Sequence, residues 1–126
     1  MAKRILYKNH CTPQEKVGSN DRYYLDGDCG RKLTGSNLYE LGADTTVTGT
    51  LTSSSAIGTT IDFIAVTATS ITSDATVHIS LDNNTTPIIQ LLEGECFASR
   101  IASGAHPYVR ITNNSGSASV DYMTGT

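Results

Sequence analysis

Ala75-Thr76-Val77-His78-Ile79-Ser80-Leu81, followed at once by Asp82-Asn83-Asn84-Thr85, is the stretch that decides the fold. Side chains alternate with a period of two along an extended chain. Val77, Ile79 and Leu81 therefore fall on one side, and Thr76, His78 and Ser80 on the other. That alternation predicts a half-buried strand. It ends in a turn, because Asp and Asn tolerate left-handed backbone and bond to their own main chain.

The same reading extends in both directions. Pro87–Leu92 is an apolar run of strand length, and Glu93-Gly94-Glu95 turns again. Cys96–Ile101 alternates through Phe97 and Ile101, with Cys96 expected as a small core residue. Ser103-Gly104-Ala105-His106 reads as a loop, and Tyr108–Thr112 directs Val109 and Ile111 inward. Asn113-Asn114-Ser115-Gly116 predicts a tight hairpin into Ser117–Met123, which puts Ala118, Val120 and Tyr122 on one face. Upstream, Thr60–Thr69 is apolar on both sides (Ile61, Phe63, Ile64, Val66), as a central strand would be. Thr45–Thr52 is β-branched and alternating. About seven short strands at roughly 8–12-residue spacing, with no helical period, predict an all-β fold over residues 43–126. The expected form is a β-sandwich of jelly-roll or immunoglobulin-like type.

Residues 1–42 read differently. Pro13, Gly18, Gly27, Gly30, Gly35 and Gly42 interrupt every candidate element. The expectation is an extended, mostly irregular N-terminal arm with short strands at Arg4–Lys8 and Arg22–Leu25.

Charge follows the same division. Of nine Lys and Arg, seven lie in residues 1–32, and none lies between Lys32 and Arg100. Residues 1–40 carry a net +2 and residues 41–126 a net −5, within a total of −3. So mild a basic character excludes general affinity for nucleic acid, which needs a strongly basic face. It suits a docking arm on an acidic body. Four of the six tyrosines (Tyr7, Tyr23, Tyr24, Tyr39) fall in the same segment. Tyr and Arg are enriched at protein interfaces. The candidate partner-binding set is therefore Tyr7, Lys8, Arg22, Tyr23, Tyr24, Arg31 and Lys32. Lysines commonly guard sheet edges, and their absence from Leu33 to Ser99 predicts edges that are short or, as favoured, covered by another subunit or by an arm.

Candidate chemistry is sparse. His10, Cys11 and Cys29 lack the short paired spacing of a zinc site. Asp21, Asp26 and Asp28 lack the later ligands of a calcium loop. Gly27–Thr34 misses the spacing of a phosphate loop. His78 and His106 have no sequence-adjacent nucleophile, and Glu93 with Glu95 reads as a solvated turn. The expectation is a non-enzymatic protein without metal or cofactor. Three cysteines, an odd number, do not suggest a disulfide framework. No apolar run approaches the roughly 18 residues of a membrane span. The charged start Met1-Ala2-Lys3-Arg4 is broken at Lys8-Asn9-His10, so no secretory leader is expected.

Three features carry a resemblance: the Met-Ala-Lys-Arg start, the Gly- and Tyr-containing arm, and the Thr/Ser-rich β-module ending in Pro107-Tyr108-Val109-Arg110-Ile111-Thr112-Asn113-Asn114-Ser115-Gly116-Ser117. In these the chain resembles small virion proteins of tailed bacteriophages, especially capsid decoration (cement) proteins. The resemblance implies a virion structural protein, assembled in the host cytoplasm, that binds the major capsid protein on the outside of the shell. It also implies a homo-oligomer, with a trimer favoured, that stabilises the shell against internal pressure. The competing expectations are a tail, neck or head-fibre component, or a carbohydrate-binding β-sandwich for host attachment. Against the last stand the absence of Trp and the expected inward placement of Phe63, Phe97 and Tyr122.

Overall fold

A computed structural model describes residues 3–11, 14–17, 20–23, 33–42 and 45–126. The chain divides into two compact units, Arg4–Tyr39 and Lys3 with Glu40–Thr126. All described regular structure is β-strand.

In the first unit, β1 (Arg4–Cys11) pairs with β4 (Leu33–Glu40), and β2 (Gln14–Val17) pairs with β3 (Asn20–Tyr23). The β2–β3 pairing is antiparallel, from Gln14 opposite Tyr23 to Val17 opposite Asn20. Along β1, half-buried Ile5 and Tyr7 alternate with exposed Arg4, Leu6 and Lys8. The expected strand at Arg4–Lys8 is thus present and runs on to Cys11. The strand expected at Arg22–Leu25 begins earlier, at Asn20, and includes Arg22 and Tyr23; Tyr24 and Leu25 lie outside the described residues.

The second unit holds β5 (Thr46–Leu51), β6 (Ser55–Ala56), β7 (Phe63–Ile71), β8 (Thr76–Ser80), β9 (Pro87–Leu91), β10 (Cys96–Arg100), β11 (Tyr108–Thr112) and β12 (Ala118–Gly125). They form two four-stranded sheets, each antiparallel throughout. Sheet I has the order β10-β7-β12-β5, and sheet II the order β6-β11-β8-β9. Only β8 and β9 are consecutive strands of one sheet; every other connection in this unit passes from one sheet to the other.

Both sheets supply one hydrophobic core. Ile64, Val66, Ala68, Ala118 and Val120 come from sheet I, and Val77, Ile79, Leu91 and Val109 from sheet II. Ile64, Val66, Val77, Ile79, Val109 and Val120 have no exposed surface. Burying each such aliphatic chain contributes roughly 1.5–3 kcal/mol before side-chain entropy is subtracted. As its doubly apolar sequence implies, β7 lies centrally, between β10 and β12.

Three expectations need correction. Asn113–Gly116 does not close a hairpin: β11 belongs to sheet II and β12 to sheet I. An eighth strand, β6, is too short at two residues to show any periodicity. Cys96 is exposed rather than buried. Its neighbour Phe97 pairs with Val66 and packs on the core. Alternation then sends Cys96 to the outer side of sheet I.

A bulge adjusts the phase of β7. Ser119 opposes Ser70 and Val120 opposes Ala68, which leaves Thr69 without a cross-strand partner. One extra residue lets Ile64, Val66 and Ala68 face the core and Ile71 return to it. The Thr69 hydroxyl donates to the Ser119 carbonyl at 3.0 Å.

Candidate docking site

The sequence-predicted contact residues lie in the first unit. Tyr7 is half-buried and Lys8 exposed on β1. Arg22 and Tyr23 sit on β3, opposite Glu15 and Gln14 of β2. Tyr24, Arg31 and Lys32 lie outside the described residues. The backbone brings Arg22 and Tyr23 together as strand neighbours.

In the second unit both ends of the sheets are fixed by carboxylates and hydroxyls bound to main chain. At one end Asp74 Oδ1 accepts the amides of Ser115 at 3.1 Å and Gly116 at 2.8 Å, and Oδ2 accepts that of Asn114 at 3.2 Å. These amides, Ser115 first and then Gly116, hold the Asp74 carboxyl below its usual range. Glu93 and Glu95, read from sequence as a solvated turn, are exposed but engaged. Glu93 accepts the Ile71 amide at 3.0 Å and Glu95 the Leu92 amide at 2.7 Å.

At the other end the turn after β8 follows the sequence reading: Asn83 and Asn84 adopt φ of 58° and 69°. Ser80, expected on the polar side of β8, is buried because it organises that turn. Its hydroxyl donates to Asp82 Oδ1 at 2.6 Å and accepts the Asn84 amide at 3.0 Å. The Thr86 amide donates to the same carboxylate at 2.8 Å. Together the Ser80 hydroxyl and then the Thr86 amide lower the Asp82 pKa to about 2.

That shift predicts an acid dependence. A carboxylate whose pKa is depressed on folding contributes stability above its unfolded pKa of roughly 4 and loses it as pH falls through the folded value. The stability gap between the native chain and Asp82→Ala, read from urea midpoints, is expected to be widest above pH 4 and to shrink toward pH 2. A gap constant over that range would remove the depressed carboxylate from the account.

Sheet II presents a polar row on its outer side. Gln90, His78 and Arg110 lie opposite one another on β9, β8 and β11. Arg110 Nε donates to Asn84 Oδ1 at 2.6 Å, and Nη2 donates to the Asn84 carbonyl oxygen. The guanidinium is therefore held in place by the β8–β9 turn, half-buried. Sequence reasoning missed this pair. The available signal was Arg110 itself, one of two basic residues after Lys32, at an outward position of an alternating strand.

Sheet I carries a shallow outer hollow of about 430 Å³, lined by Thr48, Thr50, Ala65, Thr67, Asp121 and Met123. The Thr50 hydroxyl donates to Asp121 at 2.5 Å across it. Among the described residues no group of three His, Cys, Asp or Glu side chains stands close enough to hold a metal ion. Among the described residues no helix is long and apolar enough to cross a membrane.

Comparison with known proteins found no matching protein family, no matching curated protein and no matching solved structure.

Proposed function

We propose that this chain is a non-enzymatic virion structural protein that binds the outside of an assembled phage capsid and stabilises it. The second unit is read as a jelly roll. The observation that carries both readings is the strand order. In chain order from β5 to β12, the first strand lies beside the last, the third beside the sixth, and the second beside the seventh. That winding of eight strands into two four-stranded sheets supports a jelly-roll reading, an architecture of viral capsid and lectin domains. It favours the jelly roll over an immunoglobulin-like sandwich, in which hairpins within a sheet are more common.

The charge division supports the assignment of roles. The basic, tyrosine-bearing N-terminal segment docks on the major capsid protein, and the acidic β-unit stands outside as a rigid body. Loops fixed by Asp74, Asp82, Glu93 and Glu95 suit a stiffening part. Its many Thr and Ser residues suit solvated strand faces in the absence of lysines after Lys32.

Co-sedimentation with purified expanded capsids tests the proposal. The full chain is expected to travel with the particles. A chain lacking residues 1–42 is expected to bind at least about tenfold more weakly, a difference of roughly 1.4 kcal/mol. Undiminished binding of the truncated chain would move the contact to the β-unit. No binding by the full chain would end the capsid reading.

A further inference from the structure

Four strands form the edges of the two sheets, and three carry a feature that discourages pairing with another chain. β6 is two residues long. β9 opens on Pro87 and is bulged at Ile88, between Ile79–Ile89 and Ser80–Pro87 pairs. β10 ends on Arg100 and is preceded by Glu93 and Glu95. Brevity, proline, bulges and charge are the usual protections of a sheet edge. β5, Thr46-Val47-Thr48-Gly49-Thr50-Leu51, has none of them. It is uncharged and without proline, and its register with β12 is unbroken. Among the described residues its other side pairs with no strand.

One side chain of β5 is out of keeping with its position. Leu51, Gly49 and Val47 oppose Val120, Tyr122 and Thr124, the row of β12 that faces the core. Leu51 and Tyr122 pack on the core cluster. Val47 shares their side of the sheet, yet 53 % of its surface is exposed. It borders a cleft of about 330 Å³ with Ile57 and Ile61. Among the described residues no strand continues the sheet beyond β5, and this inward apolar residue lies at that edge half uncovered.

We propose that two copies of this chain associate through β5, each strand pairing antiparallel with its counterpart across a two-fold axis to make one eight-stranded sheet. A neutral strand can meet its own copy without opposing like charges, and an isologous two-fold contact closes at two subunits. Side chains directly opposite in an antiparallel pair share a face. The axis must therefore pass through a residue rather than between two. Centred on Gly49, the pairing sets Val47 opposite Leu51 of the second copy, twice, and Thr48 opposite Thr50. Centred on Thr48, it leaves Val47 against Gly49. The first register covers the exposed valine and is the one assigned. Glycine suits the axis: a Cβ there would lie 2.8 Å from the Tyr122 ring, which already fills the inward space.

This goes beyond the proposed function: it takes up the homo-oligomer that the resemblance implies and puts a dimer in place of the favoured trimer. It is tested without capsids, so it stands or falls apart from the docking result. A six-residue strand pair buries less than the roughly 1,200 Å² of a stable interface, so association is concentration-dependent. Sedimentation velocity on the full chain under reducing conditions is expected to show monomer near ~10 µM and twice the chain mass near ~1 mM. Val47→Lys, which sets a charge against Leu51 of the second copy, is expected to stay monomeric across that range with its melting temperature within a few degrees of the native value. Should that variant fold poorly, Val47→Ser carries the test, with association at least about tenfold weaker. A native chain monomeric at the highest concentration, a trimer, or a dimer indifferent to Val47 would each overturn the proposal.

Discussion

Replacing Gly116 by alanine is expected to lower the stability of the β-unit by about 3 kcal/mol, at the upper end of overpacking effects. A Cβ at this position would lie 2.0 Å from the Thr72 carbonyl oxygen and 3.0 Å from the Ala75 nitrogen. Both atoms are main chain, so no rotamer change relieves the contact. The surroundings are equally fixed. The Thr72 amide donates to the Ser117 carbonyl at 2.8 Å, and the Ala75 amide to the Thr72 carbonyl at 3.2 Å. The Gly116 amide is itself bonded to Asp74. Relief of the clash requires the β7–β8 and β11–β12 connections to part, with loss of the Asp74 contacts. The melting temperature is expected to fall by roughly 15 °C for a unit of this size. Gly104→Ala supplies the comparison. Nothing lies within 4 Å of its Cβ position, and only its φ of 87° opposes a side chain. Its effect is expected near 1–2 kcal/mol, the approximate penalty of a left-handed non-glycine residue. Equal losses at the two sites would show that the close approach at Gly116 is not the controlling contact.

The Gly116 site also shows where sequence reading stops. That Asn113–Gly116 turns was legible, because each residue type there favours a turn. Which sheet the chain enters afterwards was not. A short polar turn serves equally for a hairpin and for a crossing between sheets, and the choice is made by Asp74, some forty residues earlier in the chain. Cys96 illustrates a second limit. Alternation gives two phases for a strand, and Phe97 occupies the inward one because it is the larger apolar group. The docking residues show a third. Charge and aromatic content single out Arg22 and Tyr23, and the fold adds only that they share β3. Arg110 and Asn84 are 26 residues apart, and only the pairing of β8 with β11 brings them together. Local propensity thus writes the strands and turns, while contacts across the chain decide phase, sheet and site.

Ile79→Ala and Ile88→Ala are expected to separate widely, although both residues are isoleucines in apolar strand sequence. Ile79 has no exposed surface and pairs with Val109 on one side and Ile89 on the other. Removing its outer carbons leaves a cavity between two filled positions of the core, and such truncations cost about 2–5 kcal/mol. About 3 kcal/mol is expected, because Leu81 and Ile89 are only partly buried and can close some of the space. Ile88 follows Pro87 in the same apolar run, and nothing in the residue types distinguishes it from Ile89. The bulge does: Ile79 opposes Ile89 and Ser80 opposes Pro87, so Ile88 is the extra residue, and 59 % of its surface meets solvent. Its truncation is expected to change stability by less than about 0.5 kcal/mol, as for other surface positions. Urea unfolding of the full chain, with unchanged slope, measures both. If Ile88→Ala proved the more damaging of the two, β9 would have to sit one residue out of the register that places Ile89 and Leu91 toward the core. The edge on that side of sheet II would then lose the bulge that distinguishes it from β5.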